Sequence, residues 1–215
     1  MAEFVDIPSP GWPLTFGEEG RPGVVIVHDS YGRLPYLEAY ATALAAQGFF
    51  VAVPDLFDGL ATIDPAGADE LLQRMDAGFA IATLDDAIEL TRGAGATRVG
   101  VIGLGVGGWL ALRAAQSGSV DAVVSYYAGL ADDEVGIVPA PVLVHRSEAG
   151  VWENGAETDR FITRLREHGT PVTQHTYVGT GDGFANATML ELLDKNAAAL
   201  AFARSAYFLQ SHLLD

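Results

Sequence analysis

Gly103-Leu104-Gly105-Val106-Gly107-Gly108 follows a β-branched run and leads into a segment of helical spacing, so glycines stand where the chain must turn sharply from strand to helix. Two chemistries use such a turn. In one, Gly-x-Gly-x-x-Gly seats a dinucleotide pyrophosphate on a helix N-terminus. It requires the motif after the first strand, and an acidic residue about 20 positions on to hold the ribose. Here two strand-like runs precede the turn and the next one ends in Tyr126-Tyr127, which disfavours a nucleotide. In the other, Gly-x-nucleophile-x-Gly exposes a nucleophile on a bend whose crowded backbone admits only small flanking residues. Gly103 and Gly107 fit the flanks, but the central residue, Gly105, has no side chain to attack with.

The elements that would position this turn are legible from periodicity. Short, continuous apolar runs at 24–27, 49–53, 99–102, 120–127 and 142–144 fit strands buried on both faces of a parallel sheet. Helical spacing fills the gaps: Tyr36, Tyr40, Leu44 and Gln47 up to Gly48; a helix over 81–93 up to Gly93; then 107–117, 157–168 and 187–212. The stretch 64–78 has room for a helix of its own, as a lid would. Alternating strand and helix predicts an α/β fold, a mostly parallel doubly wound sheet with helices on both faces. A length of 215 residues predicts one domain, 1–215.

Composition narrows the function classes. With 28 acidic and 12 basic residues the net charge is −16, which opposes nucleic acid and anionic membrane as partners. There is no cysteine, so disulfides, thiolate nucleophiles and cysteine metal sites are excluded. The first dozen residues lack a basic segment followed by an apolar run, and no apolar stretch reaches spanning length, so a soluble cytoplasmic protein is expected. The scattered histidines predict no metal centre, and 132–134 reads as a solvated acidic loop. The oligomeric state is not readable.

Five landmarks in order resemble the dienelactone hydrolase family, over about 23–213. Val25-Ile26-Val27-His28-Asp29-Ser30-Tyr31-Gly32 resembles its strand and acidic loop, and Pro54-Asp55-Leu56-Phe57 its Pro-Asp-Leu-Tyr. The glycine turn resembles Gly-Phe-Cys-Met-Gly-Gly. Ser125-Tyr126-Tyr127 resembles the strand ending Tyr-Tyr-Gly, and Gly181-Asp182-Gly183-Phe184 resembles Gly-His-Gly-Phe. The resemblance implies an α/β-hydrolase fold and lactone or ester hydrolysis by a Cys-His-Asp triad. Carried over residue by residue, however, the cysteine position is Gly105, the aspartate position falls at or near Gly150, and the histidine position is Asp182. The family's acyl-enzyme route then has no nucleophile. Two arginines that hold a substrate carboxylate correspond to Gly59 and Asn186, which favours a small neutral or apolar ligand.

What the resemblance leaves is a pair of backbone N–H donors, at Val106 and Ser30, able to hold an oxyanion or enolate. It also leaves two carboxylates, Asp182 and Asp29, expected to face one cavity as base and acid. Asp182 reads equally as a polar turn residue, and Asp29 as a brace for its loop. Tyr31, Phe57, Gly105, Trp109, Tyr126, Tyr127, His145, Trp152 and Phe184 are the expected lining, with His145 the remaining proton carrier by chemistry. His28 reads as a hydrogen-bonded core residue. The leading expectation is a cofactor-independent acid/base enzyme that cyclises, dehydrates or isomerises a neutral polyketide-like intermediate of secondary metabolism. The alternatives are a catalytically silent ligand-binding protein and an atypical ester or lactone hydrolase that uses Ser30 or an Asp-activated water.

Overall fold

Two apolar runs near the N-terminus become β3 (Gly23–Val27) and β4 (Phe50–Val53), parallel strands with every residue buried. The computed structural model describes residues 4–134, 136–150 and 155–214, without the side chains of 155 and 156. It divides into two compact units, Met1–Val99 and Gly100–Asp215.

In the first unit the strand order is β2-β4-β3, with β2 (Leu14–Phe16) antiparallel to β4; β1 (Phe4–Val5) pairs separately with β5 (Ala61–Thr62). The crossover from β3 to β4 is α1 (Tyr36–Ala45), and it packs on β4. After β5 come α2 (Pro65–Arg74) and α3 (Ala77–Gly93), the latter lying on β3 and β4. Each has an aspartate N-cap: Asp64 accepts from the Ala66 N–H, with Pro65 in the first turn, and Asp76 accepts from Phe79 N–H at 2.8 Å.

The second unit is a parallel ladder in the order β6 (Val99–Leu104), β7 (Ala122–Tyr126), β8 (Val142–Ser147), β9 (Val172–Tyr177). The helices α4 (Val106–Ala115), α5 (Gly155–Glu167) and α6 (Lys195–Leu213) alternate with or follow the strands. Register aligns Tyr126 with His145 and His145 with His175, a polar row across three strands.

Several elements differ from expectation for local reasons. The run 120–127 is a strand only over β7, because Tyr127 sits at φ 45°, a left-handed conformation no strand accommodates. The final helix starts at Lys195, eight residues later than the spacing indicated, where Asp194 accepts from the Asn196 and Ala197 N–H groups. The helix over 81–93 gains a turn at its start from the Asp76 cap. The stretch 64–78 does contain a helix, α2. Among the described residues no helix is long and apolar enough to cross a membrane.

Candidate functional site

The bend between β6 and α4 has the backbone of a nucleophile elbow without the nucleophile. Gly105 adopts φ 53°, ψ −120°, outside the regions that L residues favour. A Cβ on Gly103 would lie 2.1 Å from the Gly107 carbonyl oxygen, and one on Gly108 would meet Ala128 and Ser125 side chains at 2.9 Å, so crowding explains both glycines. Gly105 N–H donates to the Tyr126 carbonyl at 2.9 Å, and its own carbonyl accepts from Gly108 and Trp109. The N–H of Val106, the first residue of α4, has no acceptor among the described residues. A donor at a helix start is thereby left for a ligand oxygen. Trp109, one turn on, donates its indole N–H to Glu134 at 2.7 Å, and Glu134 also accepts from Ala131 N–H. The acidic loop thus anchors Trp109 beside a groove of about 250 Å³ that includes Leu130 and Thr158.

Positions 150 and 182 meet, as the resemblance implies for a triad acid and histidine. A Cβ on Gly150 would lie 2.5 Å from Asp182 Oδ1. The two loops are tied by the Glu148 and Ala149 N–H groups, both donating to the Thr180 carbonyl. Asp182 is half-buried, and the buried Ser147 hydroxyl donates to its Oδ1 at 2.6 Å. Sequence reasoning missed Ser147. The available signal was its place two residues after His145, on the same face of β8.

His145 is wholly buried and both its ring nitrogens are engaged. Ser205 donates its hydroxyl hydrogen to the Ala201 carbonyl, so it must accept from both Tyr126 Oη at 2.8 Å and His145 Nε2 at 2.9 Å. His145 Nδ1 then accepts from Tyr177 Oη at 2.8 Å. Burial, reinforced by His175 and Arg204, pushes the pKa down to about 3, so His145 stays neutral rather than carrying protons. Tyr126, Tyr127 and Phe184 are buried and pack against one another, the Tyr127 and Phe184 rings 5.2 Å apart, while Tyr127 Oη accepts from Ala185 N–H. These rings are core. Trp152 lies outside the described residues.

In the first unit, Asp29 ends the segment after β3 and its Oδ1 accepts from Tyr31 N–H at 3.0 Å, bracing the turn closed by Gly32 N–H on the Asp29 carbonyl. Ser30 makes no hydrogen bond through its N–H or hydroxyl among the described residues. His28 accepts from Leu56 N–H at Nε2, so its Nδ1 donates to the Asp29 carbonyl at 2.8 Å; burial lowers its pKa to about 4, fixing the neutral tautomer. It joins two loops, as a core histidine. Burial and Asp29 raise the Tyr31 pKa, keeping that half-buried phenol protonated. Phe57 sets its ring edge against His28 at 4.9 Å and borders a separate groove of about 250 Å³ with Leu71 and Phe79.

Neither arginine position could carry a substrate clamp as folded. Gly59 takes φ 88° and a Cβ there would be 2.7 Å from Pro10, while its N–H donates to Asp55 at 2.6 Å. Asn186 is buried, with Oδ1 accepting from Thr188 N–H. Among the described residues no cluster of ligands could hold a metal ion.

The chain has the α/β-hydrolase fold. A dienelactone hydrolase-like promiscuous phosphotriesterase from metagenomic libraries superposes with a TM-score of 0.81 at 19% identity, over 99% of this chain and 98% of that one. The dienelactone hydrolase of Anabaena variabilis gives 0.69 at 18% identity, over 99% of each chain. Within that fold the chain belongs to the dienelactone hydrolase family, whose sequence model matches residues 14–213. It is 30% identical to a protein of Azospirillum brasilense whose name places it among the carboxymethylenebutenolidases, over 99% of this chain and 94% of that one. The carboxymethylenebutenolidase of Pseudomonas putida is 28% identical, over 87% and 85%.

Proposed function

We propose that the protein hydrolyses a neutral ester or lactone by direct attack of water, with Asp182 as general base and no acyl-enzyme. One observation carries this reading. The elbow keeps its backbone and its unbonded Val106 N–H, yet it presents no nucleophile, while a carboxylate oriented by Ser147 occupies the position of the family's histidine. In the proposed step water gives a proton to Asp182 as its oxygen bonds to the substrate carbonyl carbon, and the oxyanion accepts from Val106 N–H. Collapse breaks the carbon–oxygen bond, and the departing alkoxide takes the proton from Asp182. The hydrolase names of the relatives support the reaction class, and the neutral residues at 59 and 186 support an uncharged substrate. No cofactor is invoked, and the proposed setting is cytoplasmic.

The lost nucleophile also favours a second reading, in which Asp182 removes a proton from carbon and the Val106 N–H holds an enolate. This would cyclise, dehydrate or isomerise a neutral polyketide-like compound. A panel of neutral butenolides and aryl esters in ¹⁸O-water separates the readings. Hydrolysis places one ¹⁸O in the carboxylate product, the second reading gives products without it, and a silent binding protein returns its ligand unchanged. Asp182→Asn is expected to lower kcat by about 10²-fold or more. Wild-type turnover by that variant, or an acyl adduct seen by intact mass and mapped to Ser30 by peptide fragmentation, overturns the proposal.

A further inference from the structure

In the second unit, α6 and the strands β8 and β9 enclose a groove of about 330 Å³, within the lower range of small-molecule sites. Its polar lining contains no carboxylate, although acidic residues outnumber basic ones 28 to 12 in the chain. Arg204 lies in it without an acidic partner among the described residues, whereas arginines 21, 74, 92, 113, 146 and 160 form ion pairs and Arg33 and Arg164 donate to backbone carbonyls. Arg204 instead sits with its guanidinium 5.5 Å from the Tyr177 ring centroid. The side chains of Thr173, His175 and Tyr207, also in the groove, make no hydrogen bond among the described residues. Leu143 and Phe208 supply apolar wall, and Tyr207 is 74% exposed.

We propose that this groove binds a small organic monocarboxylate with an aromatic or branched apolar body. One arginine gives one full positive charge, and its planar fork matches the two oxygens of a carboxylate. Thr173, His175 and Tyr207 supply neutral hydrogen-bonding groups around it. The apolar wall and the exposed phenol ring receive the body of the ligand, which an inorganic anion lacks. The inference goes beyond the proposed hydrolysis and does not rest on it.

Calorimetric titration of the full chain with benzoate at neutral pH tests it. Saturable one-site binding is expected, weakened roughly tenfold or more in Arg204→Gln and several-fold in Tyr207→Ala, whose exposed side chain can be removed without opening the core. Asp182→Asn is expected to bind as wild type, which separates this groove from the elbow. Benzamide, of the same shape without the charge, and inorganic phosphate are expected not to displace benzoate. The proposal is overturned by absence of saturation at millimolar benzoate or by unaltered affinity in both groove variants. It is equally overturned by loss of binding in Asp182→Asn, or by displacement with benzamide or phosphate at comparable concentration.

Discussion

Ser147 holds Asp182 through a short hydrogen bond to its carboxylate, the kind that is stronger than a neutral pair. Its removal should leave substrate binding alone and disorder the base. Ser147→Ala is therefore expected to lower kcat of the proposed hydrolysis about tenfold with KM unchanged, and Ser147→Thr, which keeps the hydroxyl, to recover most of the loss. Steady-state kinetics on whichever ester the panel identifies reads both outcomes, and equal loss in the two variants would reduce Ser147 to a packing role. Gly105, Gly150 and Asp182 were legible because landmark spacing alone locates them. Ser147 was not, since its partner is fixed only when the β8 and 180–183 loops are tied through the Thr180 carbonyl. For His145 the missing signal was also long-range: a histidine read as a proton carrier is committed, at both nitrogens, to partners 32 and 60 residues away.

At the scale of elements, the glycines of the elbow differ in what they tolerate. A methyl on Gly103 would collide with backbone, the Gly107 carbonyl at 2.1 Å and Gly108 Cα at 2.5 Å, and backbone on the first turn of α4 cannot swing aside. A methyl on Gly108 would meet the Ala128 Cβ and Ser125 Oγ at 2.9 Å, and the serine can rotate at the cost of its bond to the Ala128 carbonyl. Gly103→Ala is expected to cost more than about 3 kcal/mol and Gly108→Ala about 1–2 kcal/mol, in the range of overpacking. Urea unfolding of the two variants checks the order, and a smaller loss for Gly103→Ala would mean that the elbow is looser than its contacts imply. The buried strands β3, β4, β6, β7 and β8 were readable because both their faces are covered and their sequences run apolar. The edge strand β9, Val-Thr-Gln-His-Thr-Tyr, has no such run and is exposed or half-buried at all but Tyr177, and β2 spans only three residues, so neither gave a signal.

Across the whole molecule, two neutral histidines, one in each compact unit, set how stability responds to acid. His28 is lowered to about 4 and His145 to about 3, both mainly by burial, and His175 is lowered in the same direction. Their unfolded reference lies near 6.5, so below that pH the unfolded chain binds protons that the folded chain refuses. The stability these residues contribute is complete above pH of about 6.5 and is lost as pH falls toward their folded values. With two protons taken up by His28 and His145 on unfolding, these two alone bring the slope toward about 2.7 kcal/mol per pH unit. Relief of repulsion in a chain of net charge −16 acts the other way, but carboxylates titrate mostly below pH of about 5. From pH 7 to about 5 the histidines therefore win, and the urea midpoint is expected to fall steadily. His145→Gln should be less stable at pH 7, because it breaks the link between Tyr177 and Ser205, yet lose about half of the slope, because one of the two protons is gone. A wild-type midpoint that stays level over that interval would show that acidification is governed by surface charge and not by these two imidazoles.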